Sequence, residues 1–227
     1  MSEAFDKKAY CMFILNQDVI GFFDEPITLK SGRISQWYVN CRNLWGRYGV
    51  TEQLISFLLA FTKEKNLHPD YYYGVPEGAT GFAILLNYEK AKAQGNNDAK
   101  LVYGRGKPKD HGAPKDKYFL GPAEKGDKVI ILEDVTTTGG SLLTTLASLR
   151  EAGIDVVGAI GLVNRMERRD DTVSVEEKLK KEGIPYYFLA GAHEILPLAR
   201  KKVHPKQEII AAVENYFKEY GTVPLVW

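Results

Sequence analysis

The sequence predicts an α/β domain, a doubly wound parallel sheet covered by helices, with a small cap formed from the two chain ends. Three observations carry this. Short apolar β-rich runs alternate with stretches of helical periodicity, the pattern of βαβ units. The clearest unit is VIILEDVTTTGGSLLTTLASLREAG, residues 129–153, which reads as strand, Gly-rich turn and helix. A chain of 227 residues can also bury one full core, so residues 1–227 are expected to form a single domain with elaborations.

In chain order, ITLKSGRISQWYVN carries two strand-like flanks around Ser31-Gly32 and predicts a hairpin. Thr51 is placed as the N-cap of a helix whose core side holds Leu54, Ile55, Leu58 and Phe61. Buried strands are expected at Tyr71 to Val75, Leu101 to Tyr103, Val129 to Leu132 and Val156 to Val163. Helices are expected at Gly81 to Ala93 and Ser141 to Ala152. In the second, Leu142, Leu146 and Leu149 make one stripe and Gly153 supplies the C-cap. PKQEIIAAVENYFKEYG near the end reads as a capped amphipathic helix, which with the N-terminal segment would build the cap.

Composition excludes several function classes. With 30 basic and 29 acidic residues the formal net charge is +1, which gives no global field to recruit nucleic acid or an anionic membrane. Cys11 and Cys41 lie in unrelated contexts, so neither a disulfide framework nor a zinc site is indicated. The first residues mix acids with bases around a short apolar run, and no stretch reaches a membrane-spanning length; a cytoplasmic protein is expected.

The chemistry concentrates in VIILEDVTTTGGS. Four apolar residues run into Glu133 and Asp134, followed by Val135, Thr136, Thr137, Thr138, Gly139, Gly140 and Ser141. A strand that turns through hydroxyls and glycines into a helix gathers backbone N–H groups around one point, an anion site suited to phosphate. The glycines admit positive φ and close ligand approach, and the hydroxyls add donors. The lysine of a P-loop and the GxGxxG of a dinucleotide fold are both missing. Adjacent acids on a regular strand face opposite sides, so both serve one ligand only if the chain leaves the pleat after Leu132. Carboxylates repel phosphate, so they suit hydroxyls or a cation one group further along the ligand. Ribose 5-phosphate has that layout. The plainer alternative is a pair of solvated loop acids beside a capped helix.

This stretch resembles the phosphoribosyl diphosphate (PRPP) signature of the type I phosphoribosyltransferases, with Glu133 where many members have Asp. TLKSGRIS at 28–35, YGRGKPKDHG at 103–112 and Asn164-Arg165 resemble segments of the orotate phosphoribosyltransferase family within it. The resemblance implies transfer of ribose 5-phosphate from PRPP to orotate, giving orotidine 5'-monophosphate and diphosphate in UMP biosynthesis. It further implies Mg2+ as cofactor, carried mainly by PRPP, and a homodimer in which a lid loop reaches the neighbouring subunit's site.

PRPP would be held by Glu133 through Ser141 together with Arg105, Lys107, Lys109 and His111 of the basic loop GRGKPKDHGAPKDK, a segment able to close over diphosphate and exclude water. Lys109, His111 and Asp134 are the candidate catalytic residues, with Lys109 and His111 handling diphosphate and His111 also the candidate proton donor. Orotate is an aromatic carboxylate, so its site wants cations and a stacking ring. Lys30 and Arg165 would supply the first, Trp37 or Tyr38 the second, and the resemblance adds Thr137. Two departures stand out: Gly106 and the Glu77-Gly78 pair of YGVPEGATG occupy positions where relatives carry lysine, or tyrosine and lysine. A purine phosphoribosyltransferase is the rival within the fold, and leaves TLKSG unexplained. A PRPP-sensing regulator that binds nucleic acid is the rival from another class, and the near-neutral charge opposes it.

Overall fold

The computed structural model describes residues 4–105 and 118–227. Its centre is a four-stranded, all-parallel sheet in the order β3 (Tyr71–Gly74), β6 (Lys128–Thr136), β7 (Asp155–Asn164), β8 (Tyr186–Gly191). Alternation along the strands sorts the apolar residues onto two faces. Tyr72, Ile130, Leu132, Ile160 and Leu162 meet α1 (Lys7–Asn16), α2 (Tyr48–Glu64), α3 (Thr80–Gln94) and α6 (Ala192–Val203). Tyr71, Tyr73, Val129, Ile131 and Ala159 meet α4 (Gly140–Glu151) and α5 (Val175–Lys181). The expected stripe of Leu142, Leu146 and Leu149 is the buried face of α4, and burying each of these leucines contributes about 2 kcal/mol. Gly153, at φ 78°, stands one residue past the C-cap and closes that helix.

The hairpin forms as predicted, β1 (Ile20–Thr28) antiparallel to β2 (Ile34–Val39), with Gly32 at φ 81° in the turn. Together with α7 (Gln207–Tyr220) it makes the cap, in which Trp37 lies 5.8 Å from Phe217. The N-terminal contribution to the cap starts at this hairpin. Helix α1 packs instead into the main core, where the Tyr10 hydroxyl donates to the Leu162 carbonyl at 3.1 Å.

Several expectations are corrected. Helix α2 begins a turn before Thr51, whose hydroxyl donates to the Leu44 carbonyl at 2.9 Å from inside the helix. Leu101 to Tyr103 is not a strand of the central sheet: only Tyr103–Gly104 (β4) is a strand, paired antiparallel with Phe119–Leu120 (β5) in a separate two-stranded sheet. Helix α7 has no side-chain N-cap. At the edge strand β3, the Asn87 side chain of α3 takes the place of a neighbouring strand. Its Oδ1 accepts from the Tyr72 N–H and its Nδ2 donates to the Tyr72 carbonyl, both at 2.8 Å.

Candidate active site

Strand β6 does not end where the apolar run ends. Its ladder with β7 continues through Glu133 opposite Gly161, Val135 opposite Val163 and Thr136 opposite Asn164, so the chain keeps its pleat through both acids. The two carboxylates therefore serve different sides. Glu133 is buried, 4% exposed, and accepts a 2.7 Å hydrogen bond from the Thr136 hydroxyl. Burial pushes its carboxyl up to about 7; the Thr136 hydrogen bond and Lys30 work against that rise, and neighbouring Asp134 adds to it. Room for this arrangement comes from Gly161, where a Cβ would lie 3.0 Å from the Thr136 hydroxyl. Asp134, half-buried, points to the loop ahead of α3, and a Cβ at Gly78 would sit 2.5 Å from its Oδ2.

That loop, Val75 to Ala79, is tied to the strand by the Val75 N–H donating to the Leu132 carbonyl at 2.8 Å. The Pro76–Glu77 peptide is cis. On the other side of Asp134 the Thr-rich turn leads into α4. Gly139 has φ 70° and lies against Val175, where a Cβ would come within 2.3 Å, so glycine is required there on both counts. The turn faces two cations that come from distant segments. Lys30, exposed in the hairpin turn, donates to Ser141 Oγ at 3.1 Å, and Arg169 Nη1 donates to the Thr138 carbonyl. A helix N-terminus, hydroxyls on Thr137, Thr138 and Ser141, and a lysine already at Ser141 together make an anion site.

Beyond the turn, the Arg165 N–H donates to the Thr136 carbonyl at 2.8 Å. Asn164 Oδ1 accepts from the Met166 N–H, and Met166 takes φ 58°, a turn that delivers Arg165 into the junction between sheet and cap. The Arg165 guanidinium lies 3.7 Å from the Trp37 ring centroid, and its Nε donates to Glu167 Oε1 at 2.6 Å. Its Nη1 is buried without a hydrogen-bond partner among the described residues.

Comparison with known proteins interprets this arrangement. The family "Phosphoribosyl transferase domain" matches residues 52–187. An orotate phosphoribosyltransferase of Pyrococcus horikoshii is 33% identical over 186 residues, covering 82% of this chain and 91% of that one. This chain belongs to the orotate phosphoribosyltransferase family. Another member, from Clostridium botulinum strain Alaska E43, is 31% identical over 232 residues, 95% of this chain and 97% of its own. Two solved structures share the fold. The orotate phosphoribosyltransferase of Francisella tularensis has TM-score 0.70 at 20% identity over 94% of this chain and 99% of that one. Leishmania donovani UMP synthase has TM-score 0.72 at 24% identity over 93% of this chain, which spans 42% of that longer protein.

Against the type I phosphoribosyltransferase fold, the sequence-derived site residues divide. Lys30, Glu133 to Ser141 and the backbone of Arg165 gather at the C-terminal ends of β6 and β7. Thr136 is fully buried and spends its hydroxyl on Glu133, so it is not a phosphate donor in this arrangement. Trp37 is corrected as a stacking candidate: it has no exposed surface, with Arg165 over its ring and Phe217 beside it. Tyr38, on β2 opposite Gly21, is half-buried and retains surface for such a contact. Arg105 pairs through its N–H with the Tyr118 carbonyl at 2.9 Å at the foot of the basic loop. Lys107, Lys109 and His111 lie outside the described residues. Glu167 and Arg169 were not anticipated, because their partners lie far away in sequence or on backbone carbonyls; the charged run MERRD after a strand end was the available signal. No helix of the described residues is long and apolar enough to cross a membrane.

Proposed function

We propose that this chain transfers ribose 5-phosphate from PRPP to orotate, releasing diphosphate and orotidine 5'-monophosphate, as a homodimeric, Mg2+-dependent cytoplasmic enzyme of pyrimidine synthesis with a lid shared between subunits. The observation that carries this reading is one hydrogen bond. The Arg165 N–H to the Thr136 carbonyl fixes a residue suited to a carboxylate beside a turn suited to a phosphate, on adjacent strand ends. The names of the relatives at 33% and 31% identity agree with it.

In this reading the 5'-phosphate sits at the N-terminus of α4, on Thr137, Thr138, Ser141 and the backbone N–H groups, with Lys30 close by. Asp134 then faces the ribose hydroxyls, and its charge favours the cationic sugar that develops as the anomeric bond breaks. Glu133 braces the turn from below through Thr136. The diphosphate lies toward Pro76 to Ala79, under a lid bearing Lys107, Lys109 and His111. Mg2+ bound to diphosphate would offset the charge on the leaving group. Among the described residues no three Asp, Glu, His or Cys side chains are grouped to hold an ion by themselves, so Asp134 and substrate oxygens are the donors that fit. The acceptor nitrogen of orotate attacks directly, and no protein nucleophile is needed.

The test is consumption of orotate, uracil, adenine and hypoxanthine with PRPP, with and without Mg2+. Orotate should react, only with the metal present, and the others poorly. Arg165→Ala should reduce the orotate-to-uracil selectivity by at least about tenfold, the worth of one charge-assisted contact. A wild-type preference for a purine, or a selectivity indifferent to Arg165, overturns the assignment.

A further inference from the structure

The junction between cap and sheet holds a buried cluster of charge that the transfer reaction does not itself require. Glu167, 1% exposed, is its hub. Oε1 accepts from Arg165 Nε at 2.6 Å, while Oε2 accepts from Arg33 Nη1 at 2.9 Å and from the Tyr216 hydroxyl at 2.8 Å. Arg33 and Ser35 belong to the hairpin side of the cap, Tyr216 to α7, and Arg165 and Glu167 follow β7. Ser35 Oγ accepts from Arg165 Nη2 at 3.4 Å, and Trp37 backs the plane of the guanidinium.

Two features separate this cluster from an ordinary buried ion pair. Its charges do not cancel: two guanidinium groups share one buried carboxylate, and the other acid near Arg33, Asp170, is a surface residue with a 97% exposed side chain. And its donors are not all used. Arg33 divides its bonds among Glu167, Asp170 and the Arg168 carbonyl, whereas Arg165 keeps a buried Nη1 with no hydrogen-bond acceptor among the described residues. A buried cationic donor left open is costly, and such a group is retained where a ligand supplies the missing acceptor. Among the described residues the side-chain hydrogen bonds Arg165 donates to Glu167 and Ser35 come from its Nε and Nη2, which leaves Nη1 for an anionic acceptor.

We infer that Glu167, Tyr216 and Arg33 are positioning residues that set the Arg165 guanidinium for the carboxylate of the acceptor base, which makes α7 part of the base-specificity apparatus. This rests on the orotate reading above. The Tyr216 hydroxyl holds the carboxylate that holds the arginine, and Tyr216 also lies beside the guanidinium itself, 5.9 Å from ring centroid to Arg165 Cζ.

Steady-state kinetics of Tyr216→Phe, which keeps the ring and removes only the hydroxyl, test the inference. KM for orotate should rise about tenfold, in line with one hydrogen bond to a charged group, and KM for PRPP should stay within about twofold. Selectivity for orotate over uracil should fall by the same factor as the orotate KM rises. Glu167→Gln should act in the same direction and more strongly. If it does not fold, Tyr216→Phe decides alone. A rise shared equally by both substrates, or no rise in either, makes the cluster a purely structural tie and overturns the inference. Orotate use by the wild type is measured first: its absence refutes the proposed function and this inference with it, whereas orotate use without the KM split refutes only the positioning role.

Discussion

Replacing Glu133 by Gln should make the protein more stable at alkaline pH and leave it unchanged in acid. The carboxyl is 4% exposed and accepts from Thr136 at 2.7 Å, a bond that a Gln carbonyl can also accept. Burial carries it from the ordinary 4.5 to about 7. The sign follows from linkage: the folded form prefers the protonated acid, so its stabilising effect is complete below about pH 4.5 and is lost as pH rises through about 7. At about 1.4 kcal/mol per pH unit, the ionised carboxylate costs the wild type about 3 kcal/mol by pH 8. Glutamine never ionises and escapes that cost. Chemical denaturation of both proteins from pH 5 to 8 should therefore show a stability difference that grows with pH toward that value, and in a chain of this size it corresponds to about 6–12 °C in Tm. A difference that stays flat across the range would refute the claim that burial raises the Glu133 carboxyl. Turnover of Glu133→Gln should fall less than that of Asp134→Asn, because only Asp134 faces the loop at Gly78.

Gly78→Ala should be cheap for the fold and expensive for the reaction: the Cβ would meet the Asp134 carboxylate, a movable side-chain end, at 2.5 Å and swing it out of place. Turnover should drop by about tenfold to a hundredfold with little change in Tm, and unaltered PRPP kinetics would refute the close approach. Subunits carrying Lys109→Ala, mixed with subunits carrying Asp134→Asn, should recover activity that neither has alone. Random exchange in a two-fold dimer predicts about a quarter of wild-type turnover, and no recovery after proven exchange would assign each lid to its own subunit.

What the sequence displayed, and what it hid, follows from the range of the interactions. The β6–α4 unit was legible because its strand, turn and helix are each determined within a few residues by an apolar run, glycines and a leucine stripe. The extension of β6 past Leu132 was not, since two acids are kept in a pleat only by the partner strand β7, which local pattern does not reveal. Helix α6 carries Pro197 inside it, which reads as a helix breaker, and α5 is short and mostly charged, so neither was read, and β8 went unread between them. In the site, the phosphate turn and Arg165 were found by type and position. The hub at Glu167 depends on Arg33 and Tyr216, 134 and 49 residues away, and no spacing rule connects them. Trp37 misled for a related reason: an aromatic on a strand reads alike whether its ring meets a ligand or a neighbouring helix.

The amide of Asn87 makes the last rung of the sheet out of a helix side chain. Mechanically, this rivets α3 to β3 from the far side, while the Val75 N–H to the Leu132 carbonyl pins the near side. The loop between these anchors is a short span clamped at both supports. Under the proposed function, whatever adjustment diphosphate demands is taken up within Pro76 to Ala79, with the helix behind it acting as an abutment instead of a hinge.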